Sequence, residues 1–580
     1  MTARPATTDE REDADAASAA ETEARSIVDA AWRIVQGSDA AGELGAGEIV
    51  IPDIGQEAIA RRARAARLLR ERIASVDAAS LPATLALDLA AAAAMAERWD
   101  VDDDVYWLVF DPMGIGFPSM FAPSAYAGGY LLNVVHETLS RTSIDGDEGV
   151  AQHLRLLDGY GRLVRQLAER TTGQAERGIV MPSQQLAAAT ALVRGLHATG
   201  RAVLRGVVDR SPSLTDDAAA VIEERTATAV DAAFETLLAV LADPDVVARA
   251  SDRVGLGQYP GGRDAYERVV RLHTTLDLTA EEVHARGHER MARIVDDMRE
   301  LMVGEGFEGT PQEYLAALAT DPAWRGDDAA SIAAHFERAI ERLEPHLAAQ
   351  FGRLPRAPYG VDAVPDAVAG SMTFGYYAPP QPGRERGLYL FNARNLATTA
   401  LPHIPALTYH ELMPGHHLAV TAQREATDRH SLGQHVALSA YGEGWAEYAA
   451  RLAGEIGMYR TPQERFGRLM MDAFLTSRLV VDTGLNALGW DLEQARAYMR
   501  EHAFLGDVEI DSETLRYSCD IPGQALAYKL GDDFLFDLRE RMRAALGDTF
   551  DVVAFHDAVL GAAGLPLPFV AQHVARELGA

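Results

Sequence analysis

Hydrophobic residues recur at helical spacing along most of the chain. Over residues 55–98 they fall three and four positions apart with arginines on the opposite face, which predicts an amphipathic helix. Similar patterns continue over residues 149–168 and 221–241. The chain is therefore predicted to be mainly α-helical.

One segment departs from this spacing. Residues 371–395 are rich in aromatic residues, glycine and proline, and the run Gly-Leu-Tyr-Leu-Phe-Asn at 387–392 has the composition of a β-strand. The free edge of this strand could accept an extended peptide by strand addition. Alternatively, it is one strand of a small structural sheet.

The length of 580 residues predicts more than one lobe. We expect an acidic, disordered tail over residues 1–25, which almost lack large apolar side chains. A helical lobe is expected over residues 26–370, and a catalytic metal-binding lobe over residues 371–580.

Charge and cysteine content exclude several classes of partner and site. The formal net charge of −31 argues against nucleic acid and, more weakly, against anionic membranes. Cys519 is the single cysteine, which excludes an intrachain disulfide and a cysteine-based zinc site. The N-terminus lacks the features of a signal peptide, and no apolar run is long enough to span a bilayer. We therefore expect a cytoplasmic protein; the sequence does not predict its oligomeric state.

Candidate metal ligands cluster at residues 410–417. Imidazole nitrogen binds zinc well, so His410, His416 and His417 are candidate ligands, and Glu411 is a candidate general base. The usual zinc-peptidase helix has its histidines four residues apart, whereas here the second follows after six or seven. The intervening Pro-Gly could break the helix and shorten the gap. Either His416 or His417 would then bind the metal. The other would stabilise the site without contacting the ion, or would donate a hydrogen bond to an oxyanion.

A second acidic segment could complete this site. Glu443 opens a predicted helix that can pack beside the histidines and supply a third, oxygen ligand, and Glu447 follows one turn later, where it could orient a ligand histidine. The alternative is a solvated face on which Glu447 pairs with Arg451. That alternative does not explain the flanking Trp445 and Tyr448.

A rival site lies on another predicted helix, which a capping-box pattern at Thr279 and Glu282 begins. His284 and His288 are four residues apart on one face of this helix and could bind a metal. The pair lacks a clear third ligand apart from Glu281.

Substrate-binding candidates lie over residues 516–529. Tyr517 or Tyr528 could donate a hydrogen bond to a tetrahedral oxyanion. Arg516, Gln524 and Lys529 could hold a substrate carboxylate. Alternatively, Tyr528 belongs to the core and Lys529 to the surface.

The motif His-Glu-x-x-Pro-Gly-His-His at 410–417, with Glu-Gly-Trp-Ala-x-Tyr at 443–448, resembles the bacterial family DUF885 (domain of unknown function 885). Residues 277–284 and 516–531 are also similar to it, so the resemblance covers about 255–531. That family in turn resembles the helical gluzincin metallopeptidases, which include angiotensin-converting enzyme and the dipeptidyl carboxypeptidases.

The resemblance implies a large two-lobed helical metallopeptidase-like fold with a small β-sheet beside the active-site cleft. It implies one Zn²⁺ per chain, held by His410, by His416 or His417, and by Glu443, with Glu411 as general base.

The predicted function is hydrolysis of peptide or peptide-like amide bonds in short substrates by metal-activated water. One alternative is a metal-dependent hydrolase of a non-peptide small-molecule amide in a catabolic or biosynthetic pathway. The other is a non-catalytic binding protein with a peptidase-like cleft, against which the intact Glu411 argues.

Overall fold

The computed structural model describes residues 8–38, 49–112, 114, 118–124, 127–364, 374–381 and 384–580. Within these ranges the chain is mainly helical, as predicted. The helices before the sheet are α1 (Thr8–Gln36), α2 (Gln56–Ala74), α3 (Ala83–Val105), α4 (Ala127–Arg141), α5 (Gly146–Glu176), α6 (Ser183–Asp209), α7 (Asp216–Arg225), α8 (Ala232–Leu241), α9 (Pro244–Arg249), α10 (Gly262–Thr274), α11 (Ala280–Gly304), α12 (Pro311–Leu318) and α13 (Ala329–Leu343).

A three-stranded sheet follows, and the remaining helices come after it. The strands are β1 (Tyr359–Ala363), β2 (Gly375–Ala378) and β3 (Gly387–Phe391). The later helices are α14 (Ala393–Leu396), α15 (Ile404–Glu411), α16 (His416–Glu425), α17 (Ser431–His435), α18 (Ser439–Glu455), α19 (Pro462–Asn486), α20 (Leu492–His502), α21 (Asp507–Leu515), α22 (Ala527–Leu546), α23 (Val552–Gly561) and α24 (Leu567–Leu578).

The predicted strand is confirmed as β3, and it is the central strand of the sheet. The strand order is β1-β3-β2, with β1 parallel and β2 antiparallel to β3. Both edges of β3 are therefore paired, so the prediction that it offers a free edge to a peptide is wrong. Tyr389 and Phe391 alternate with less buried residues and pack on Phe336 of α13, with ring centroids 5.4 and 5.3 Å apart.

The first helix, α1, overlaps the segment that is predicted to be a disordered tail. α1 begins at Thr8, inside the expected tail, and its later turns bury Ala24, Ile27, Val28 and Ala31 against α3 and neighbouring elements. Their spacing of three and four residues is that of an amphipathic helix. The boundary predicted at residue 25 therefore falls inside α1, whereas disorder of the preceding residues stays a prediction, and residues 1–7 lie outside the described part of the chain.

The larger of two clusters of buried hydrophobic residues runs through most of the described chain. It contains residues from Ala24 to Val574 and thus from both sides of the boundary predicted at residue 370. The long helices α11 and α19, which belong to the two predicted lobes, pack along each other. The two predicted lobes therefore share a core. Among the described helices, none combines the length and the apolar character that crossing a membrane requires.

Candidate metal centre

His410, His416 and Glu443 converge at one point. One ligand atom of each residue lies within 4.8 Å of those of the other two. The Oε2 atom of Glu443 is 3.2 Å from Nε2 of His416 and 3.7 Å from Nε2 of His410. Two imidazole nitrogens and a carboxylate oxygen are the protein ligands found in catalytic zinc sites.

The predicted helix break makes this convergence possible. It lies between α15 and α16, where Leu412 leaves the helical conformation (φ −107°, ψ −119°). A Cβ atom on Gly415 would overlap the carbonyl oxygen of His410, so this position requires glycine. Trp445 of α18 holds the break because its indole N–H donates to the carbonyl oxygen of Pro414 at 2.9 Å.

The structure separates the two adjacent histidines. His417 is fully buried, its Nδ1 lies 2.8 Å from the hydroxyl of Tyr377, and its Nε2 lies 3.0 Å from the carbonyl oxygen of Ala357. Burial lowers its pKa to about 4. Both ring nitrogens are therefore engaged with the sheet region, so His417 as a metal ligand is wrong and His416 is the second histidine of the cluster.

Glu447 orients His410, as expected. Its Oε1 atom lies 2.9 Å from Nδ1 of His410, which leaves Nε2 to face Glu443. Burial would raise the pKa of Glu447, but Arg468, Lys529 and His410 hold it well below the usual range. Burial would likewise lower the pKa of His410, but Glu443 and Glu447 raise it to about 10. The carboxylates of Glu443 and Glu447 thus stabilise a positive charge at His410, which lies between them.

The donor set fits a divalent cation. Among the described residues, none donates a hydrogen bond of normal geometry to the buried Oε2 of Glu443, although Nε2 of His416 and Nε2 of His410 lie 3.2 and 3.7 Å from it. A buried carboxylate oxygen without a donor is costly, and a cation shared with the two Nε2 atoms removes that cost. In the described ranges this is the one group of three histidine or carboxylate ligands with such spacing.

Glu411 and Tyr528 flank the cluster. The backbone N–H of Tyr377 donates to the Glu411 carboxylate, whose pKa is raised by burial. The ring of Tyr528 stacks on His410, with centroids 6.1 Å apart and an interplanar angle of 8°, and its hydroxyl bonds to Glu443. Burial also raises the pKa of Tyr528, so the phenol stays protonated and can donate.

Tyr517 is not part of the site. It is fully buried, donates to Glu513 and accepts from Nε of Arg478 at 2.7 Å. Its predicted role as an oxyanion donor is therefore wrong.

Lys529 is neither a substrate ligand nor a surface residue. Its Nζ is fully buried, 3.0 Å from Glu447, 2.8 Å from Asp472 and 2.7 Å from Asp532. All the contacts of its ammonium group are thus structural, and both predictions for it are wrong.

Arg516 and Gln524 bond to each other at 2.5 Å, and Arg516 also pairs with Glu513 at 3.6 Å. Their contact with a substrate carboxylate stays a prediction.

The rival pair, His284 and His288, has no third metal ligand within reach among the residues that the structure describes. Nε2 of His288 lies 3.2 Å from Nε2 of His284, whose Nδ1 contacts Thr483 at 2.9 Å. The proposed third ligand, Glu281, instead pairs with Arg263.

Sequence reasoning missed the charged residues behind the site. Arg468 and Asp472 lie on α19 and meet Glu447 and Lys529, and Arg290 of α11 joins Asp472 at 3.1 Å. The signal was present: charged residues inside the otherwise apolar pattern of α19 need buried partners.

Comparison with known proteins shows a family but no function. The model of a family described as "Bacterial protein of unknown function (DUF885)" matches residues 39–574. Curated proteins give no match.

Two solved structures share the fold. One is described as "the putative lipoprotein from Colwellia psychrerythraea"; it has a TM-score of 0.81 and 24% identity, over 97% of this chain and 99% of that chain. The other is described as "a putative lipoprotein of unknown function from Shewanella oneidensis"; it has a TM-score of 0.73 and 17% identity, over 95% and 98% of the two chains.

Proposed function

The chain belongs to the DUF885 family, and we propose that it is a zinc-dependent hydrolase that cleaves peptide or peptide-like amide bonds in short substrates. The observation that carries this proposal is the convergence of His410, His416 and Glu443 with Glu411 beside them. Neither the family nor the fold supplies a function, so the proposal rests on the site itself.

His410, His416 and Glu443 would hold the ion, while Glu447 keeps the Nδ1 proton on His410 and so leaves Nε2 free. A bound Zn²⁺ supplies a Lewis acid that polarises a carbonyl and lowers the pKa of a water molecule. The likeness to gluzincins is part of this proposal, and it lies in the two-histidine, one-glutamate donor set.

Glu411 takes the proton of the attacking water and delivers it to the leaving amine. The N–H of Tyr377 fixes the carboxylate, and burial moves its pKa upward, toward the range in which a general base works best. The phenolic hydrogen of Tyr528 bonds to Glu443 when no ion is bound, and it would be released for the oxyanion that develops on the substrate carbonyl once the Glu443 carboxylate binds the ion.

Metal content is the first test. We expect about one zinc per chain by elemental analysis of the full-length protein, retained in the His284→Ala variant and lost in the Glu443→Ala variant. A wild type without metal, or metal lost only with His284→Ala, contradicts the proposal.

Activity is the second test. Dipeptides and acylated amino acids are compared with simple non-peptide amides on the zinc-loaded wild type and on Glu411→Gln. We expect turnover of the peptide-like set and a loss of at least 100-fold in Glu411→Gln with zinc retained. Turnover of simple amides alone would replace the peptidase assignment, and no turnover of either set would remove the catalytic one.

A further inference from the structure

His417, the second of two adjacent histidines in the 410–417 motif, lies outside the metal cluster but uses both of its ring nitrogens. Its full burial keeps the ring neutral, so one nitrogen donates a hydrogen bond and the other accepts one. Nε2 is the donor, because it lies 3.0 Å from the carbonyl oxygen of Ala357, which can only accept. Nδ1 therefore accepts, and the hydroxyl of Tyr377, 2.8 Å away, donates its hydrogen to it.

Tyr377 lies on β2, an outer strand of the sheet, and its backbone groups point away from β3. The N–H of Asn392 donates to the carbonyl oxygen of Phe374, so these two residues form a bonded pair. In the same register Tyr377 stands opposite Tyr389. Bonded and non-bonded pairs alternate in an antiparallel ladder, so Tyr377, three residues after Phe374, belongs to a non-bonded pair. Its N–H therefore faces the outer edge, where the carboxylate of Glu411 accepts it.

Tyr377 thus connects three residues of the 410–417 motif. Its hydroxyl bonds to His417, its N–H bonds to Glu411, and its ring lies beside that of His416, with centroids 6.5 Å apart and an interplanar angle of 19°. Gly387 of β3 leaves room for the first of these contacts. A Cβ atom there would lie 2.5 Å from Nδ1 of His417 and 2.7 Å from the hydroxyl of Tyr377. The bond between the two side chains therefore requires glycine at this position.

We propose that Tyr377 is a positioning residue for Glu411, and that His417 is its anchor. The bond from the hydroxyl to His417 fixes Tyr377, and the N–H of the same residue then holds the Glu411 carboxylate in the direction from which it takes the water proton. The inference rests on the proposed function, because it assigns Tyr377 a role in that reaction. It also gives a role to the histidine of the motif that does not bind the metal.

Tyr377→Phe tests the anchor, because it removes the hydroxyl and keeps the ring and the backbone. In the full-length, zinc-loaded protein we expect amide hydrogen exchange over residues 375–378 to become about tenfold faster, since the N–H of residue 377 separates from Glu411 more often. The kinetic probe is the dipeptide that the wild type hydrolyses fastest. Its kcat should fall about tenfold while KM and the zinc content stay unchanged, because the lost hydroxyl bonds to His417 and not to the substrate.

Tyr359→Phe is the matched control. Tyr359 lies on β1 of the same sheet, and its ring also packs on His417, with centroids 4.9 Å apart. Its hydroxyl bonds to Glu344 at 2.9 Å and not to His417. Amide exchange over residues 375–378 and kcat should therefore both remain as in the wild type.

A double-mutant cycle separates positioning from a direct role in the chemistry. If Tyr377 acts through Glu411, Tyr377→Phe should lower kcat in the wild type but cause no further loss in the Glu411→Gln background. A further loss of about tenfold in that background would mean that the hydroxyl acts on the substrate itself, and it would overturn the inference.

The outcomes distinguish this inference from the proposed function. Hydrolysis by the wild type supports the proposed function, and an unchanged kcat in Tyr377→Phe then overturns the inference alone, whether or not amide exchange becomes faster. Faster exchange together with a lower kcat supports both. A wild type that hydrolyses no amide rejects the proposed function and the positioning role with it.

Discussion

Oε1 of Glu447 lies 2.9 Å from Nδ1 of His410, and the carboxylate that makes this contact is 1% exposed. Its other oxygen, Oε2, lies 3.0 Å from both Arg468 and Lys529. The candidate ligand is thus anchored to a buried ionic network, which fixes the proton of His410 and the direction of its ring.

We expect Glu447→Gln to weaken zinc binding by about 10- to 100-fold, because the amide keeps the shape but loses the charge that holds the Nδ1 proton. Competition with a chelator measures the affinity. Glu337→Gln, on the exposed face of α13, is the control and should leave it unchanged. If Glu447→Gln leaves the zinc affinity unchanged, the contact between Glu447 and Nδ1 of His410 has no role in metal binding.

The adjacent histidines should respond in opposite ways. His416→Ala removes a ligand and should abolish stoichiometric zinc. His417→Ala should retain zinc but lower the thermal midpoint, since it removes the contacts to Tyr377 and Ala357 and leaves a cavity. Elemental analysis beside a melting curve distinguishes them, and zinc lost with His417→Ala alone would reverse the assignment.

The sequence predicted the helical class, the strand β3 and the candidate ligands that the structure brings together, His410, His416 and Glu443, because helical and strand periodicity and side-chain chemistry are local properties. It could not choose between His416 and His417. Their directions depend on the helix break, and the break is held by Trp445, 31 residues away along the chain.

Lys529 shows a second limit of sequence reasoning. A lysine is ordinarily a surface residue, and only the arrival of Glu447 and Asp472 from two other helices makes its burial tolerable. Tyr517 and Tyr528 are likewise equivalent in the sequence. The π-helical turn Arg516–Asp520 and the bend before α22 direct the first into the core and the second to the site.

Gly444 and Gly531 set the distance between α18 and α22. A Cβ atom on Gly444 would lie 2.5 Å from the Cα of Gly531, so Gly444→Ala must push the helices apart. We expect a loss of about 1–3 kcal/mol in the free energy of unfolding and a lower zinc affinity, because Glu443 moves with α18.

Gly442 provides the matched control on the same helix. A Cβ atom there meets nothing within 4 Å, so Gly442→Ala should be neutral or stabilise by about 0.5–1 kcal/mol. Thermal melts and zinc titrations of both variants test the pair. Equal effects of the two substitutions would show that the close approach of the helices is unimportant.

Asp482 should make stability depend on pH near neutrality. It is fully buried, and burial raises its pKa to about 7 although Tyr266, Gly523 and Asn486 donate to it. The pKa of Asp482 is higher in the folded protein than in the unfolded chain, so folding favours the protonated carboxyl group. Its contribution to the free energy of unfolding is therefore fully present below about pH 4 and is lost as the pH rises through 7. Asp482→Asn, which mimics the protonated form, should therefore melt roughly 1–3 °C higher than the wild type above pH 7. This difference in melting temperature, called the gap below, should narrow toward pH 5. Asp277→Asn, at a site with a 96% exposed side chain, should show no such trend. A gap that widens toward acid pH would mean that Asp482 is ionised in the folded protein.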